Sequence, residues 1–222
     1  MSPPKFGCEF RSWENIYHLS KSVAKKIRNS AWHPDIIIGI TRGGWVPARN
    51  LCDFLGIKDL LSLKVEHWGI TATPNGEAKL KYPINVDLTG KRVLVVDDIT
   101  DTGKSMMTAI NYIKTLNPAE IKTATLLYIT TSKLIPDFYA EEIEWKWIIF
   151  PWNVTEDLVT LASNYLKENG IANIEKLSKG LKNWYNIELA KEQIYEVLTE
   201  MEFRGLIEID RQAGTIKRNQ LS

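Results

Sequence analysis

The sequence predicts an α/β protein, with a mainly parallel sheet in its first part and a small α+β domain at its C-terminus. Over the first part, short apolar runs rich in β-branched residues alternate with longer segments of helical spacing. Two of these runs, at 35–40 and 92–98, are apolar almost throughout, as in parallel strands buried on both faces. After about residue 154 the pattern changes to three helical segments and a hairpin.

The elements of the first part are predicted from their periodicity and from the residues that end them. Residues 12–29 form an amphipathic helix in this interpretation, because apolar residues recur on one face with lysines opposite. The remaining elements are predicted as helices ending at Gly56 and over 104–116, strands at 60–68, 121–130 and 145–150, and a long loop at 69–84.

The segment 155–222, here called the tail, is predicted to form a second domain after a first domain at 1–154. Its three helices and a hairpin turning at 212–214 match the pattern of a winged helix. A winged helix that reads DNA is usually basic, whereas the tail has 9 Lys and Arg against 11 Asp and Glu. We therefore expect no DNA binding, and expect the apolar face of 189–206 to pack inside the tail, against the first domain or against a second subunit.

The composition excludes several classes of protein. The 222 residues are 44% hydrophobic and 25% charged, with a net charge of +1 that gives no strong attraction to nucleic acid or membrane. Two cysteines, Cys8 and Cys52, are too few for a disulfide framework in a chain of this length. No signal segment and no membrane-spanning run is evident, so we expect a cytoplasmic protein.

The stretch VLVVDDITDTGKSM, residues 93–106, carries the strongest functional signal. An apolar strand ends in Asp97 and Asp98, at the sheet edge where ligands of parallel sheets bind. The loop 101–105 then leads into a helix, whose free backbone N–H groups and dipole favour a phosphate. A Walker A loop would need glycine in place of Asp98, where a carboxylate repels a polyphosphate. The residues therefore indicate a monophosphate beside a diol, as in a ribose 5-phosphate.

The same stretch resembles the phosphoribosyl-diphosphate (PRPP) motif of the type I phosphoribosyltransferases, in which an apolar strand, two acidic residues and a D-T-G-x-[ST] loop follow one another. The resemblance implies the type I phosphoribosyltransferase fold with a small base-binding hood. It also implies that Asp97 and Asp98 hold the ribose hydroxyls and Mg²⁺, while the following loop holds the 5′-phosphate. The implied phosphate ligands are Asp101, Thr102, Gly103, Lys104 and Ser105.

A second anion site is predicted after the first strand. The residues Thr41, Arg42 and Gly43 resemble the family's pyrophosphate loop, in which glycines expose backbone N–H groups and the arginine adds a positively charged fork. The alternative is an ordinary glycine-rich turn between a strand and a helix.

The segment 66–84 lies where the family has a mobile loop that closes over the reacting bond. Its Lys79 and Lys81 are placed to approach the pyrophosphate in that interpretation. The alternative is that both are solvated lysines on a β-ribbon.

The resemblance extends to residues that would bind a base. The 6-oxopurine enzymes carry an aspartate at the position of Asp101, where a carboxylate near purine N7 accepts the N7 proton. The alternative is that Asp101 caps the next helix. Lys133 matches the lysine that donates to the 6-oxo group, Trp147 the stacking aromatic, and Ile148 the residue whose backbone meets the 2-position edge. Asn153 stands where those enzymes have an aspartate, which leaves the choice of base open. The alternative is that the tryptophan is a core residue and the lysine a surface charge.

The sequence therefore predicts a Mg²⁺-dependent 6-oxopurine phosphoribosyltransferase of purine salvage, which forms a nucleoside 5′-monophosphate and pyrophosphate. A homodimer or a higher homo-oligomer is expected, with no membrane or nucleic-acid partner. The alternative from another class is a transcription regulator that binds PRPP as its effector on the same fold, which the winged-helix pattern of the tail suggests.

Overall fold

The computed structural model describes residues 5–68 and 77–219. The chain forms two compact units, one of Trp13–Trp145 and one that joins Met1–Ser12 to Lys146–Ser222. The predicted boundary after residue 154 falls inside the second unit, because residues that precede it share a hydrophobic core with the tail helices. A functional division at that residue stays a prediction.

The predicted helices and strands are present, together with two strands, Cys8–Phe10 and Phe138–Ile143, that the sequence did not predict. In chain order they are β1 (Cys8–Phe10), α1 (Trp13–Asn29), β2 (Ile36–Thr41), α2 (Trp45–Leu55), β3 (Leu60–Trp68), β4 (Glu77–Tyr82), β5 (Arg92–Thr100), α3 (Lys104–Lys114), β6 (Glu120–Ile129), β7 (Phe138–Ile143), β8 (Trp147–Ile149), α4 (Val154–Asn169), α5 (Ile174–Tyr185), α6 (Lys191–Phe203), β9 (Ile207–Asp210) and β10 (Thr215–Arg218).

The first unit is built on a six-stranded sheet with the order β4-β3-β2-β5-β6-β7. All neighbouring pairs are parallel except β3 with β4, so the predicted mainly parallel sheet is confirmed. The central strands β2 and β5 are buried along most of their length, as their continuous apolar runs indicate. Because β2 and β5 are parallel neighbours, the loops that follow them leave the same edge of the sheet.

One prediction about the loop 69–84 is wrong. Part of the predicted loop 69–84 is the strand β4, in which Ala78 and Leu80 pack on the core while Lys79 and Lys81 alternate with them. Residues 69–76 of that loop lie outside the described residues. The strand predicted at 145–150 is confirmed as β8, which pairs with β1 in a separate two-stranded sheet.

The second unit contains three helices and an antiparallel hairpin, which confirms the elements predicted for the tail. A single bridge pairs Ala172, between α4 and α5, with Ile216 of β10. The apolar face of α6 packs inside the unit's own core through Ile194, Val197 and Met201. The winged-helix resemblance itself stays a prediction. Over residues 5–68 and 77–219, no helix has the length and apolar character that a membrane span requires.

Candidate active site

Strand β5 delivers two carboxylates to the edge of the sheet. The four residues from Val93 to Val96 are fully buried, whereas Asp97 and Asp98 are partly exposed. The backbone N–H of Asp98 donates to Asp97 Oδ1 at 3.0 Å, and that of Ile99 donates to Asp98 Oδ1 at 2.8 Å. One oxygen of each carboxylate is therefore held by the backbone that follows it.

The two carboxylates repel each other. Burial raises the pKa of Asp97 well above its usual value, and the adjacent charge of Asp98 raises that pKa further. Hydroxyl donors or a cation bound here would stabilise the charged form. This is the electrostatic character expected of a site for a ribose diol or a metal ion.

The loop 101–105 connects β5 to α3 through a left-handed glycine. Gly103 is the N-cap residue of α3 with φ +80°, and it has no side-chain cap. A Cβ atom at this position would lie 2.7 Å from Leu134 Cβ, so glycine is required both by the conformation and by the close approach. Asp101 is exposed and lies two residues before the N-cap residue, and both of its predicted roles, proton acceptor and helix cap, stay predictions.

The loop after β2 lies directly against the carboxylate pair of Asp97 and Asp98. A Cβ atom at Gly43 would overlap the carboxylate of Asp98, with Oδ1 only 2.8 Å away, and one at Gly44 would lie 2.7 Å from Ile40 O. Thr41 Oγ1 donates to Leu63 O at 2.9 Å, and the peptide bond between Thr41 and Arg42 is cis. The structure thus brings the predicted pyrophosphate loop and the carboxylate pair into contact.

The turn after β6 is a third segment at this edge of the sheet. The sequence interpretation assigned a role only to its Lys133. Ser132 N–H donates to Ile129 O at 2.9 Å, and Ser132 Oγ donates to Leu134 O at 3.0 Å. Leu134 in turn meets Gly103, so this turn packs on the predicted 5′-phosphate loop. Lys133 is exposed in the middle of the turn.

The predicted closing lysines lie on a β-ribbon, as the alternative interpretation has it. Lys79 and Lys81 are exposed on β4, which pairs antiparallel with β3. Lys81 forms an ion pair with Glu66 of β3 at 2.9 Å. Their approach to a pyrophosphate stays a prediction.

The other predicted base-binding residues belong to the second unit, where they lie on β8 and at the start of α4. Trp147 is partly buried against the core of that unit, and Ile148 is buried. Asn153 is the N-cap residue of α4, although its side chain makes no cap hydrogen bond. The indole Nε1 of Trp147 is buried and has no hydrogen-bond partner in the part of the chain that the structure describes.

The residues present fit a magnesium ion that is held jointly with a substrate. Among residues 5–68 and 77–219, no group of three or more His, Cys, Asp or Glu side chains is placed to hold a metal. Mg²⁺ is commonly bound by only one or two carboxylates together with substrate phosphates. Asp97 and Asp98 supply two such carboxylates at one edge of the sheet.

Comparisons with known proteins agree with this geometry. A xanthine-guanine phosphoribosyltransferase from Cereibacter sphaeroides is 30% identical over 151 residues, covering 64% of this chain and 85% of that relative. Xanthine phosphoribosyltransferase 1 from Saccharomyces cerevisiae is 26% identical and covers 65% of this chain and 89% of the relative. The crystal structure of a purine phosphoribosyltransferase from Pyrococcus horikoshii matches with a TM-score of 0.58 and 35% identity, over 65% of this chain and 93% of that one.

A family model describes the part of the chain that carries the site. The model of the phosphoribosyl transferase domain matches residues 9–157, which include β2, β5 and the loops that follow them. The fold is the type I phosphoribosyltransferase fold, with its parallel sheet and its two glycine loops at one sheet edge. The chain belongs to the phosphoribosyltransferase family.

Proposed function

We propose that the protein is a purine phosphoribosyltransferase that joins a 6-oxopurine (guanine, xanthine or hypoxanthine) to PRPP and releases pyrophosphate. The observation that carries the proposal is the contact between Gly43 and the carboxylate of Asp98. It places a candidate pyrophosphate loop against the acid pair that would bind the ribose. The names of the relatives from Cereibacter sphaeroides and Saccharomyces cerevisiae support a 6-oxopurine as the base.

PRPP would be held at three points. The 5′-phosphate accepts hydrogen bonds from the loop 101–105, where backbone N–H groups at the start of α3 provide a positive potential. The ribose 2′- and 3′-hydroxyls donate to Asp97 and Asp98. The pyrophosphate accepts from Arg42 and from the backbone of Gly43. A bound Mg²⁺ supplies charge neutralisation for the leaving pyrophosphate, and Asp97 and Asp98 would hold it directly or through water.

The reaction breaks the bond between ribose C1 and the pyrophosphate oxygen and forms a bond from C1 to purine N9. The bond electrons leave with the pyrophosphate, so positive charge develops on the ribose in an oxocarbenium-like transition state. Asp101 would accept the proton from purine N7 as N9 attacks. The same residue would thus serve the base while its neighbours bind the 5′-phosphate.

Base choice would depend on four residues that the family resemblance assigns. Lys133 would donate to the 6-oxo group, Trp147 would stack on the ring, and Ile148 would meet the 2-position edge through its backbone. Asn153 offers both a donor and an acceptor in place of a carboxylate, so it does not by itself select among guanine, xanthine and hypoxanthine. The proposal also includes that the protein is cytoplasmic and forms a homo-oligomer.

The regulator alternative gains no support. The two curated relatives and the solved structure named above are all phosphoribosyltransferases. In the tail, the exposed side of α6 carries Glu192 and Glu196, which is unfavourable for contact with DNA phosphates. We therefore propose only the enzyme.

The proposal is tested by product formation from PRPP and Mg²⁺ with five bases: guanine, hypoxanthine, xanthine, adenine and uracil. We expect at least one 6-oxopurine to be converted, and adenine to be disfavoured by roughly 10⁴-fold in kcat/KM, because its amino group cannot accept from Lys133. Lys133→Ala should lower kcat/KM for the 6-oxopurine and weaken this discrimination. Efficient turnover of adenine or uracil, or no turnover of any 6-oxopurine, contradicts the proposal.

A further inference from the structure

The N-terminal segment, residues 5–10, runs along β8 and joins this strand to helix α5 of the tail. Strand β1 pairs in parallel with β8. At one end, the backbone N–H of Phe6 donates to Trp184 O at 3.3 Å, and that of Trp147 donates to Gly7 O at 3.0 Å. One short stretch of chain therefore binds both the strand that carries Trp147 and a helix of the tail.

The ring of Trp147 is oriented by packing. Its buried Nε1–H has no hydrogen-bond partner among residues 5–68 and 77–219, so no hydrogen bond from that atom to these residues fixes the ring. The ring of Phe6 contacts it, with centroids 6.2 Å apart and planes tilted by 45°. Phe6 also contacts Tyr185, with centroids 4.9 Å apart, and Tyr185 is 1% exposed in the core of the unit. Phe6 thus connects Trp147 to a side chain that the tail core holds in place.

We propose that Phe6 is a positioning residue, which holds Trp147 in the orientation that stacks on the purine, and that the tail in this way sets the affinity for the base. The inference rests on the proposed function, in which Trp147 stacks on the base. Stacking depends on the angle and offset between two rings, so a Trp147 ring that is free to rotate binds the base more weakly. The residues proposed to bind PRPP lie in the other compact unit and keep their own contacts.

Steady-state kinetics on the full-length enzyme with Mg²⁺ test this role through Phe6→Ala and Phe6→Leu. We expect the KM for the preferred 6-oxopurine to rise roughly 3- to 10-fold, the size of one aromatic contact, while kcat and the KM for PRPP stay near their wild-type values. Phe6→Tyr, which keeps the ring, should restore the KM for the base. If Phe6→Ala does not fold, the leucine variant, which retains apolar volume, answers the same question.

Lys5→Ala is the matched control, because Lys5 anchors the same segment to the tail at another point. Its ammonium lies 3.8 Å from the ring centroid of Trp184 and forms an ion pair with Glu168. We expect this variant to keep the wild-type KM for the base. An unchanged KM in both Phe6→Ala and Phe6→Leu overturns the proposal, and so does an equal rise in Lys5→Ala, which would indicate a general loosening of the segment.

A spectroscopic measurement separates this inference from the proposed function. With 5-fluorotryptophan incorporated, the fluorine resonance of Trp147 is assigned as the one missing from Trp147→Phe. It should move in Phe6→Ala and stay in place in Lys5→Ala, whether or not the enzyme turns over a purine. A resonance unmoved by Phe6→Ala overturns the positioning role. An absence of 6-oxopurine turnover by the wild-type protein overturns the proposed function and, with it, the effect on base affinity, but not the positioning of Trp147 by Phe6.

Discussion

The two compact units hold their candidate functional residues by different means. In Trp13–Trp145, the ends of three neighbouring strands, β2, β5 and β6, are brought together through glycines, with Gly43 against Asp98 and Gly103 against Leu134. In the other unit, Trp147 is placed by a hydrophobic core that draws on the N-terminal segment and on all three tail helices. The difference teaches that the geometry of the proposed phosphate-binding loops depends on backbone fit, whereas that of the strand proposed to bind the base depends on side-chain packing.

The largest expected effect is that of Asp101→Asn, which removes the proposed proton acceptor and keeps the shape of the side chain. We predict a fall in kcat of about 10²–10⁴-fold, the usual contribution of a general base, with PRPP binding largely kept. Single-turnover rates and a PRPP titration on the same sample measure both quantities. An unchanged kcat would contradict the proton-accepting role and leave Asp101 only as a helix cap.

A glycine substitution in each unit sharpens the comparison. Gly43→Ala should lower kcat/KM for PRPP roughly 10- to 100-fold, because the added methyl group overlaps Asp98 and overpacking of this kind costs about 1–3 kcal/mol. Gly7→Ala is the matched control, since a Cβ atom at Gly7 would have no atom within 4 Å. Equal kinetics for the two variants would show that backbone fit at the loop after β2 is not critical.

Alkaline pH should destabilise the second unit. Burial, with a smaller contribution from Asp157, raises the pKa of the Cys8 thiol from 9.0 to about 12, and burial raises that of Tyr185 from 10.0 to about 12. The unfolded chain releases both protons near their ordinary pKa values, whereas the folded chain retains them. The free energy of unfolding should therefore be unaffected by these groups below pH 9 and fall as the pH rises toward 12.

Urea titrations at about one-unit intervals between pH 8 and pH 12 measure how the free energy of unfolding changes with pH. Cys8→Ala should show a smaller fall than the wild type, because one of the two titrating groups is gone. A free energy of unfolding that is equally sensitive to pH in the variant would remove Cys8 from the explanation.

The smallest expected effect concerns DNA binding by the tail. The tail should not shift duplex DNA in a gel at physiological salt, because non-specific binding depends on Lys and Arg that neutralise phosphates. In the tail, Arg204 and Arg211 are instead paired with Glu200 and Glu202. A shift that weakens with added salt would contradict this prediction and would revive a regulatory role for the tail.

Local motifs account for what the sequence predicted well. The strand β5, its two carboxylates and the loop 101–105 are contiguous, so their places at the end of a strand and before a helix follow from composition and order. Strand β4 was missed because the Gly, Pro and Thr of 69–76 obscured the alternation of Ala78 and Leu80 with two lysines. The signal was present in that alternation, which is a property of strands.

Contacts between distant residues were beyond sequence reasoning. No local pattern indicates that Cys8 would be the register partner of Trp147, and this pairing draws the N-terminal segment into the second unit. The approach of Gly43 to Asp98 likewise depends on the order of strands in the sheet. The sequence predicted binding roles for Gly43 and Asp98, but it did not indicate that the two residues are in contact.

The most direct test is calorimetric titration of PRPP with Mg²⁺ into the wild-type protein and into the double variant Asp97→Asn, Asp98→Asn. Hydrogen bonds to charged groups contribute roughly 1.5–3 kcal/mol each, so the variant should bind PRPP roughly 10²–10⁴-fold more weakly. Its melting temperature should not fall, because the two carboxylates repel each other in the folded protein. Equal affinities for PRPP in the two proteins would contradict the assignment of this sheet edge as the PRPP site.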